Sequence, residues 1–230
     1  MFPSELLAEF RQTRACRLTN TLCIVPVVLF LLLLTAEYAS MAYVVLVSAL
    51  CLLAMLAIWR YACSVRILLY PDQLVRRTML GRTVFRLNAR TEFYYYHLQP
   101  LMGSVLLRQP YITLKYGKKT LMLDSSINHV EVLRDALLEL EQIYQKPVTE
   151  HALLNRRSIF FGDLKVSATG IAYKNQVLSY HDFKDCSLQK GHFKVLKQHG
   201  QQTALDIPVS KIPNIKTFFT VLDYYMARQA

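Results

Sequence analysis

The 230-residue sequence has few of the residues from which catalytic and metal sites are usually built. Its five cysteines form no CxxC pair, which argues against structural zinc, and only Cys186 lies outside the N-terminal apolar region, which argues against a disulfide framework. Seven glycines leave little material for a phosphate-binding loop, and no P-loop or dinucleotide motif occurs. The six histidines show no HExxH spacing. The sequence therefore predicts a protein that is not an enzyme and that holds no cofactor and no metal.

Paired carboxylates are the remaining candidate for acid and base chemistry. Glu139 and Glu141 lie two residues apart on a predicted helix. Residues at that spacing point to different sides of a helix. We therefore predict that both belong to a solvated helix face.

Charged residues are absent from two long apolar runs near the N-terminus, residues 22–35 and 41–59. About 20 apolar residues cross the hydrocarbon core of a bilayer, so the region 18–63 is predicted to hold two transmembrane helices, about 18–37 and 41–62. The alternative for the first run is a cleaved signal peptide, with the basic segment 1–17 as its n-region. Arginines precede the first run and follow the second, which predicts that both termini are cytoplasmic.

From Ser64 onward the pattern changes to short alternating runs, which predict β-strands, followed by a helix over about 128–145. A second set of predicted strands then leads to a second helix that begins after Pro213. A shift of 82 residues places Asp206 on Asp124 and Phe219 on Leu137. We therefore predict two copies of one unit, at 64–146 and 153–228, joined near residues 146–155.

Three segments resemble a known family. They are ILLYPDQLVRRTMLGRTVFRL at 67–87, FFGDLKVSATGIAY at 160–173 and IPVSKIPN at 207–214. They resemble uncharacterised, mostly bacterial membrane proteins with a two-helix transmembrane hairpin and tandem pleckstrin-homology-like (PH-like) domains. The resemblance implies an α+β membrane protein of the bacterial inner membrane. Its transmembrane hairpin would be followed by two PH-like domains, each a bent antiparallel sheet with a C-terminal helix. The family brings no activity, so no functional residue is carried over.

The region 64–119 is strongly basic, and alternation places arginines on an outer strand face. Anionic lipid head groups attract such charges near a membrane surface. Three alternatives are that the arginines only enforce topology, that they are simply solvated, or that they meet an acidic protein. No nucleic-acid module accompanies them, which argues against nucleic acid. The candidate lipid-binding residues are Arg76, Arg77, Arg82, Arg86 and Arg90.

Three consecutive tyrosines form a candidate contact patch. Alternation is expected to bury Tyr95 beside Phe93 and to expose Tyr94 and Tyr96, which are the candidate partner-binding residues. The segment 98–107 that follows is predicted to be a hairpin loop lying against the membrane.

These observations lead to one leading function and two alternatives. We expect a non-enzymatic, membrane-anchored adaptor or scaffold that binds a protein partner or assembles with itself. The first alternative is an anionic-lipid-binding or lipid-handling module, and the second is an enzyme whose residues are too dispersed to recognise.

Overall fold

The computed structural model describes residues 5–13, 25, 28, 29, 33, 41–96, 110–124, 126–197 and 203–228. These residues form four antiparallel sheets and three α-helices, so the described part of the chain is mostly β-structure. The predicted fold class, a transmembrane hairpin followed by two PH-like domains, is therefore wrong, and the described residues form a mostly β architecture with three helices. Contacts divide the chain into two compact units. The described residues of the first unit lie within Met1–Arg86 and Ser125–Val130, and those of the second within Leu87–Pro100, Gln109–Asp124 and Glu131–Ala230.

The described residues of the first unit include a long helix and a four-stranded antiparallel sheet. The helix is α1 (Met41–Ser64), and the strands, in their order across the sheet, are β1 (Ala8–Arg11), β2 (Arg66–Leu69), β3 (Gln73–Thr78) and β4 (Gly81–Arg86). Alternate residues of each strand face the core, because successive side chains of a strand point to opposite sides. The buried ones are Phe10, Ile67, Leu69, Leu74 and Phe85.

Helix α1 covers the second predicted membrane span, and Leu50, Leu53 and Leu56 on it are each more than half exposed. Within the described residues, no helix is both long enough and apolar enough to cross a membrane. By this finding the predictions of a transmembrane hairpin, of a membrane protein and of an inner-membrane location are wrong. The first predicted span, 18–37, lies outside the described residues except at residues 25, 28, 29 and 33.

The second unit begins with a three-stranded sheet and a long helix. The strands are β5 (Glu92–Tyr95), β6 (Pro110–Tyr116) and β7 (Lys119–Asp124), and the helix is α2 (Val130–Leu154). The predicted helix ended near residue 145, but α2 continues through Pro147 to Leu154. A proline inside a helix costs about 3 kcal/mol. Burial of Thr149 and Leu153 on the extension offsets that cost, so the predicted linker near residues 146–155 is mostly helix.

The second unit continues with two more sheets and a C-terminal helix. A four-stranded sheet contains β8 (Ile159–Phe161), β9 (Leu164–Ser167), β10 (Gly170–Tyr173) and β11 (Gln176–Ser179), and a three-stranded sheet contains β12 (Phe183–Gln189), β13 (His192–Lys197) and β14 (Thr203–Pro208). Helix α3 (Ile215–Met226) follows. Its buried side chains include Phe218, Val221 and Tyr225, which pack into the core of the second unit.

The element order repeats along the chain. A four-stranded meander, a three-stranded meander and a helix occur first as β1–β7 with α2 and then as β8–β14 with α3. The first strand of each series, β1 and β8, has no counterpart among the predicted strands, and β1 is separated from its partner β2 by α1. The predicted hairpin loop 98–107 lies outside the described residues. The predicted domain boundaries at 64–146 and 153–228 stay predictions.

Candidate functional site

The outer face of the sheet in the first unit carries four arginines in register. Arg11 is paired with Arg66, Arg66 with Arg77, and Arg77 with Arg82. Directly paired residues of antiparallel strands have side chains on the same face, with Cβ atoms about 4.5–5.5 Å apart. The four arginine side chains therefore leave the same face of the sheet next to one another, one on each of the four strands. We call Arg11, Arg66, Arg77 and Arg82 the arginine row.

One carboxylate partly neutralises the arginine row. Glu9 Oε1 lies 2.9 Å from Arg11 Nε and 3.4 Å from Arg66 Nη1. Among the described residues, neither Arg77 nor Arg82 has an ion-pair partner, and both are exposed. Like charges directly opposite each other on neighbouring strands are destabilising. The row is therefore a concentrated strip of positive charge in which, among the described residues, only Arg11 and Arg66 are ion-paired.

The turn between β3 and β4 lies directly beside the arginine row. It presents two apolar side chains to solvent, since Met79 is 61% exposed and Leu80 is 85% exposed. The Met79 N–H donates to Ser64 Oγ at 2.8 Å, and the Ser64 hydroxyl donates to the Tyr61 carbonyl at 2.7 Å. The end of α1 therefore holds this exposed apolar turn in place next to the cationic row.

The four predicted lipid-binding arginines of the first unit do not share one face of its sheet. Arg77, Arg82 and Arg86 alternate onto the outer face, with Arg86 paired to Gln73 toward the other end of the strands. Arg76 points to the opposite face, because it adjoins Arg77 on the same strand. Arg90 lies in a turn of the second unit.

Two arginines of this face could not be expected from the sequence pattern. Arg11 and Arg66 join the row through strand pairing. No local pattern signals this, because the register between β1 and β2 is a long-range property of the fold.

The predicted tyrosine alternation is confirmed for its buried half. Phe93 and Tyr95 are buried, whereas Tyr94 and Tyr96 are half-buried. Tyr94 donates from its hydroxyl to Glu92 Oε2 at 2.9 Å, and Lys115 Nζ lies 4.5 Å from its ring centroid. Burial, with a further contribution from Glu92, raises the pKa of Tyr94. Tyr94 is thus held by neighbours in its own unit.

Glu141 is fully buried, so the prediction of a solvated helix face is wrong for this residue. It belongs to a series of buried residues at every fourth position of α2, which lie on one side of a helix. Its Oε1 accepts hydrogen bonds from the Thr217 backbone N–H at 2.9 Å and from the Thr217 hydroxyl at 3.0 Å. Burial raises the pKa of Glu141 to about 6, because the Thr217 hydrogen bonds oppose that rise only in part.

Further hydrogen bonds link β5 and the residues before it to α2 and to the start of α3. The Phe93 N–H donates to Asn214 Oδ1 at 3.0 Å, and the Asn214 N–H donates back to the Phe93 carbonyl at 2.8 Å. Gln145 Nε2 donates to the Ala89 and Thr91 carbonyls, each at 3.1 Å. These bonds connect β5, α2 and the start of α3 within the second unit. The arrangement has a structural role, since it satisfies backbone groups and exposes no reactive atom.

In the described ranges, no three His, Cys, Asp or Glu side chains are grouped so that they could hold a metal ion. The predictions that the chain is not an enzyme and needs no cofactor stay predictions.

Comparison with known proteins gives one match. The model of a family of unknown function, DUF6585, matches residues 5–230. No curated protein and no solved structure matches the chain. The match agrees with the expectation of an uncharacterised family, but it does not confirm the PH-like or membrane features. The chain therefore belongs to DUF6585, a family of unknown function.

Proposed function

We propose that this chain is a non-enzymatic binding protein whose arginine row contacts the anionic head groups of a lipid surface. The observation that carries the proposal is the register that places Arg11, Arg66, Arg77 and Arg82 side by side on one exposed sheet face. Each Lys or Arg near an anionic lipid surface contributes about 1 kcal/mol of binding free energy. Binding to such a surface also relieves the mutual repulsion of the row.

The shape of the row favours an extended anionic surface over a single phosphate. Four strands have three spacings between them, so the row extends over about 14 Å. The turn at Met79 and Leu80 supports the same proposal, because it places two exposed apolar side chains beside Arg77 and Arg82. A lipid surface offers phosphates to the arginines and an apolar layer to the turn, whereas an acidic protein surface offers carboxylates without an apolar layer.

The test compares a row variant with a charge-matched control. In the row variant, Arg66, Arg77 and Arg82 are all replaced by Gln, and in the control the exposed residues Lys118, Lys119 and Lys184 are replaced by Gln. Both variants lose three positive charges. Flotation of the full-length chain with phosphatidylcholine vesicles, with and without phosphatidylglycerol, measures binding.

The row variant is expected to lose roughly 3 kcal/mol of affinity for the anionic vesicles, which is more than a hundredfold, whereas the control stays close to the parent. Equal losses in the two variants would show that net charge alone matters and would sink the proposal. If neither variant loses affinity, the row meets another partner, such as an acidic protein.

A further inference from the structure

The second unit contains a cavity of about 360 Å³ near the end of β5. Small-molecule sites typically have volumes of about 300–1,000 Å³ and apolar walls with a few polar groups. Apolar wall residues come from α2, β12 and the segments that follow β14, and they are Leu138, Leu188, Val209 and Ile215. Tyr95 and Tyr96 complete the walls, so the predicted contact residue Tyr96 lies at this cavity.

Both charged residues that are described among the lining of the cavity are cationic. They are Arg134 on α2 and Lys190 in the turn between β12 and β13. Arg134 is held by hydrogen bonds from Nη1 to the Tyr111 hydroxyl at 2.8 Å and from Nε to Asp135 Oδ1 at 3.0 Å. In the described part of the chain, Lys190 has no ion-pair partner. The cavity thus combines apolar walls with one partly neutralised and one unneutralised cation.

We infer that this cavity binds a single-chain amphiphile with an anionic head group. The alkyl chain would lie against Leu138, Leu188 and Ile215, where apolar area is removed from water. The anionic head would accept hydrogen bonds from Lys190 and Arg134, and such charge-assisted bonds are the stronger ones. An uncharged amphiphile would lack the charge-assisted hydrogen bonds from Lys190 and Arg134. A cationic amphiphile would be repelled by the same two residues. The cavity and the arginine row share no residue, so the failure of one proposal would leave the other unaffected.

A matched pair of variants tests the role of the charge. Lys190 has a left-handed backbone, with φ of 49°, and Lys174 in the turn between β10 and β11 has nearly the same conformation, with φ of 51°. Asparagine tolerates this conformation. Lys190→Asn and Lys174→Asn therefore remove one charge each at equivalent turns, and only the first lines the cavity.

Calorimetric titration of the full-length chain with decanoate, decanol and decyltrimethylammonium measures the selectivity. Decanoate is expected to bind tightest. Lys190→Asn is expected to weaken decanoate binding roughly fivefold or more while leaving decanol unchanged, and Lys174→Asn should match the parent. Equal affinity for the anionic and cationic amphiphiles, or equal behaviour of the two variants, would overturn the inference.

A second pair of variants tests the place of binding. Leu188→Trp fills the cavity from a position that is 55% exposed, and Val177→Trp is its control at a position that is 81% exposed outside the cavity. Leu188→Trp should abolish binding of both decanoate and decanol, with an unfolding midpoint close to that of the control. Undiminished binding in Leu188→Trp would place the amphiphile elsewhere and reject the site.

Discussion

Glu141 of α2 caps the N-terminal end of α3 through Thr217, whose backbone N–H and hydroxyl both donate to Glu141 Oε1. The first backbone N–H groups of a helix have no partner within the helix, and a nearby carboxylate both accepts from them and complements the helix dipole. Asn214, which precedes α3, cannot serve here, because its side chain accepts from the Phe93 N–H. A residue more than seventy positions away therefore performs the capping role within the second unit.

The burial of Glu141 predicts a pH dependence of stability. Because the pKa rises from 4.5 to about 6 in the folded chain, the folded state binds the proton more tightly than the unfolded state does. The resulting stabilisation, roughly 2 kcal/mol, is fully present below pH 4.5 and is lost as the pH rises through 6. Glu141→Gln removes the titration, so its stability should change less over this range. Urea unfolding at the two ends of the range measures the difference, and an unchanged pH dependence in the variant would refute the assignment.

At neutral pH, removal of the whole Glu141 carboxylate should lower the unfolding free energy more than Glu141→Gln does. Glu141→Ala leaves the buried Thr217 N–H without a partner, which costs about 1–3 kcal/mol of unfolding free energy in addition to the lost packing. Glu139→Ala, on the exposed side of the same helix, should change it by less than about 0.5 kcal/mol. Similar values for the two variants would show that Glu141 does not cap α3.

Asn214 combines an unusual backbone with a specific contact, and two substitutions separate them. Its φ is 54°, a left-handed conformation that glycine adopts without strain. Asn214→Gly loses the hydrogen bond to the Phe93 N–H and should cost about 1–2 kcal/mol of unfolding free energy. Asn214→Ala adds backbone strain of about 1 kcal/mol. Denaturant unfolding measures whether Asn214→Ala is less stable than Asn214→Gly. Equal unfolding free energies for the two variants would contradict the argument.

Gly170 is expected to be intolerant of any side chain. A Cβ atom added there would lie 2.0 Å from the Leu178 carbonyl oxygen, which belongs to the paired backbone of β11. Gly170→Ala should therefore lower the unfolding free energy by more than about 3 kcal/mol. Gly117→Ala is the control, because its added Cβ meets open space and only the left-handed φ of 56° is strained, at about 1–2 kcal/mol. Comparable losses of unfolding free energy in Gly170→Ala and Gly117→Ala would show that the Leu178 carbonyl moves away from residue 170 in solution.

Much of the sheet structure could be predicted, because alternation and turn residues are local signals. The alternating runs at residues 65–70 and 192–197 each predict a strand, and they match β2 and β13 closely. β1 could not be predicted, because a four-residue strand has too little pattern of its own and its partner lies beyond α1. The extension of α2 through Pro147 was missed because the proline signal is local, whereas the burial of Leu153 is tertiary.

The candidate site was harder to predict than the fold. Alternation correctly placed Arg82 and Arg86 on an exposed face, yet it could not say which residue of β3 lies opposite each of them. That register decides that Arg77 joins the arginine row and that Arg76 does not. Glu141 was misassigned for a related reason, since a buried carboxylate is recognisable only once its partner, Thr217, is known.

The exposed turn beside the arginine row predicts an apolar contribution to binding. Replacement of Met79 and Leu80 together by Ser should leave folding intact, because both side chains are largely solvent-exposed. Full burial of one such side chain contributes about 1.5–3 kcal/mol, so the double variant should bind anionic vesicles at least roughly tenfold more weakly. Val177→Ser, at a comparably exposed position of the second unit, should bind like the parent. If the double variant also binds like the parent, the turn stays outside the apolar layer.

The most direct test of the arginine row is the salt dependence of its affinity. The dissociation constant for phosphatidylglycerol-containing vesicles would be measured across a series of sodium chloride concentrations for the parent, the row variant and the three-lysine control. Interactions between exposed charges weaken as salt screens them. Binding by the parent and the control is expected to weaken steeply and in parallel, whereas the row variant should bind weakly and respond little. A row variant whose curve coincides with that of the parent would contradict the proposal that Arg66, Arg77 and Arg82 contact the anionic head groups.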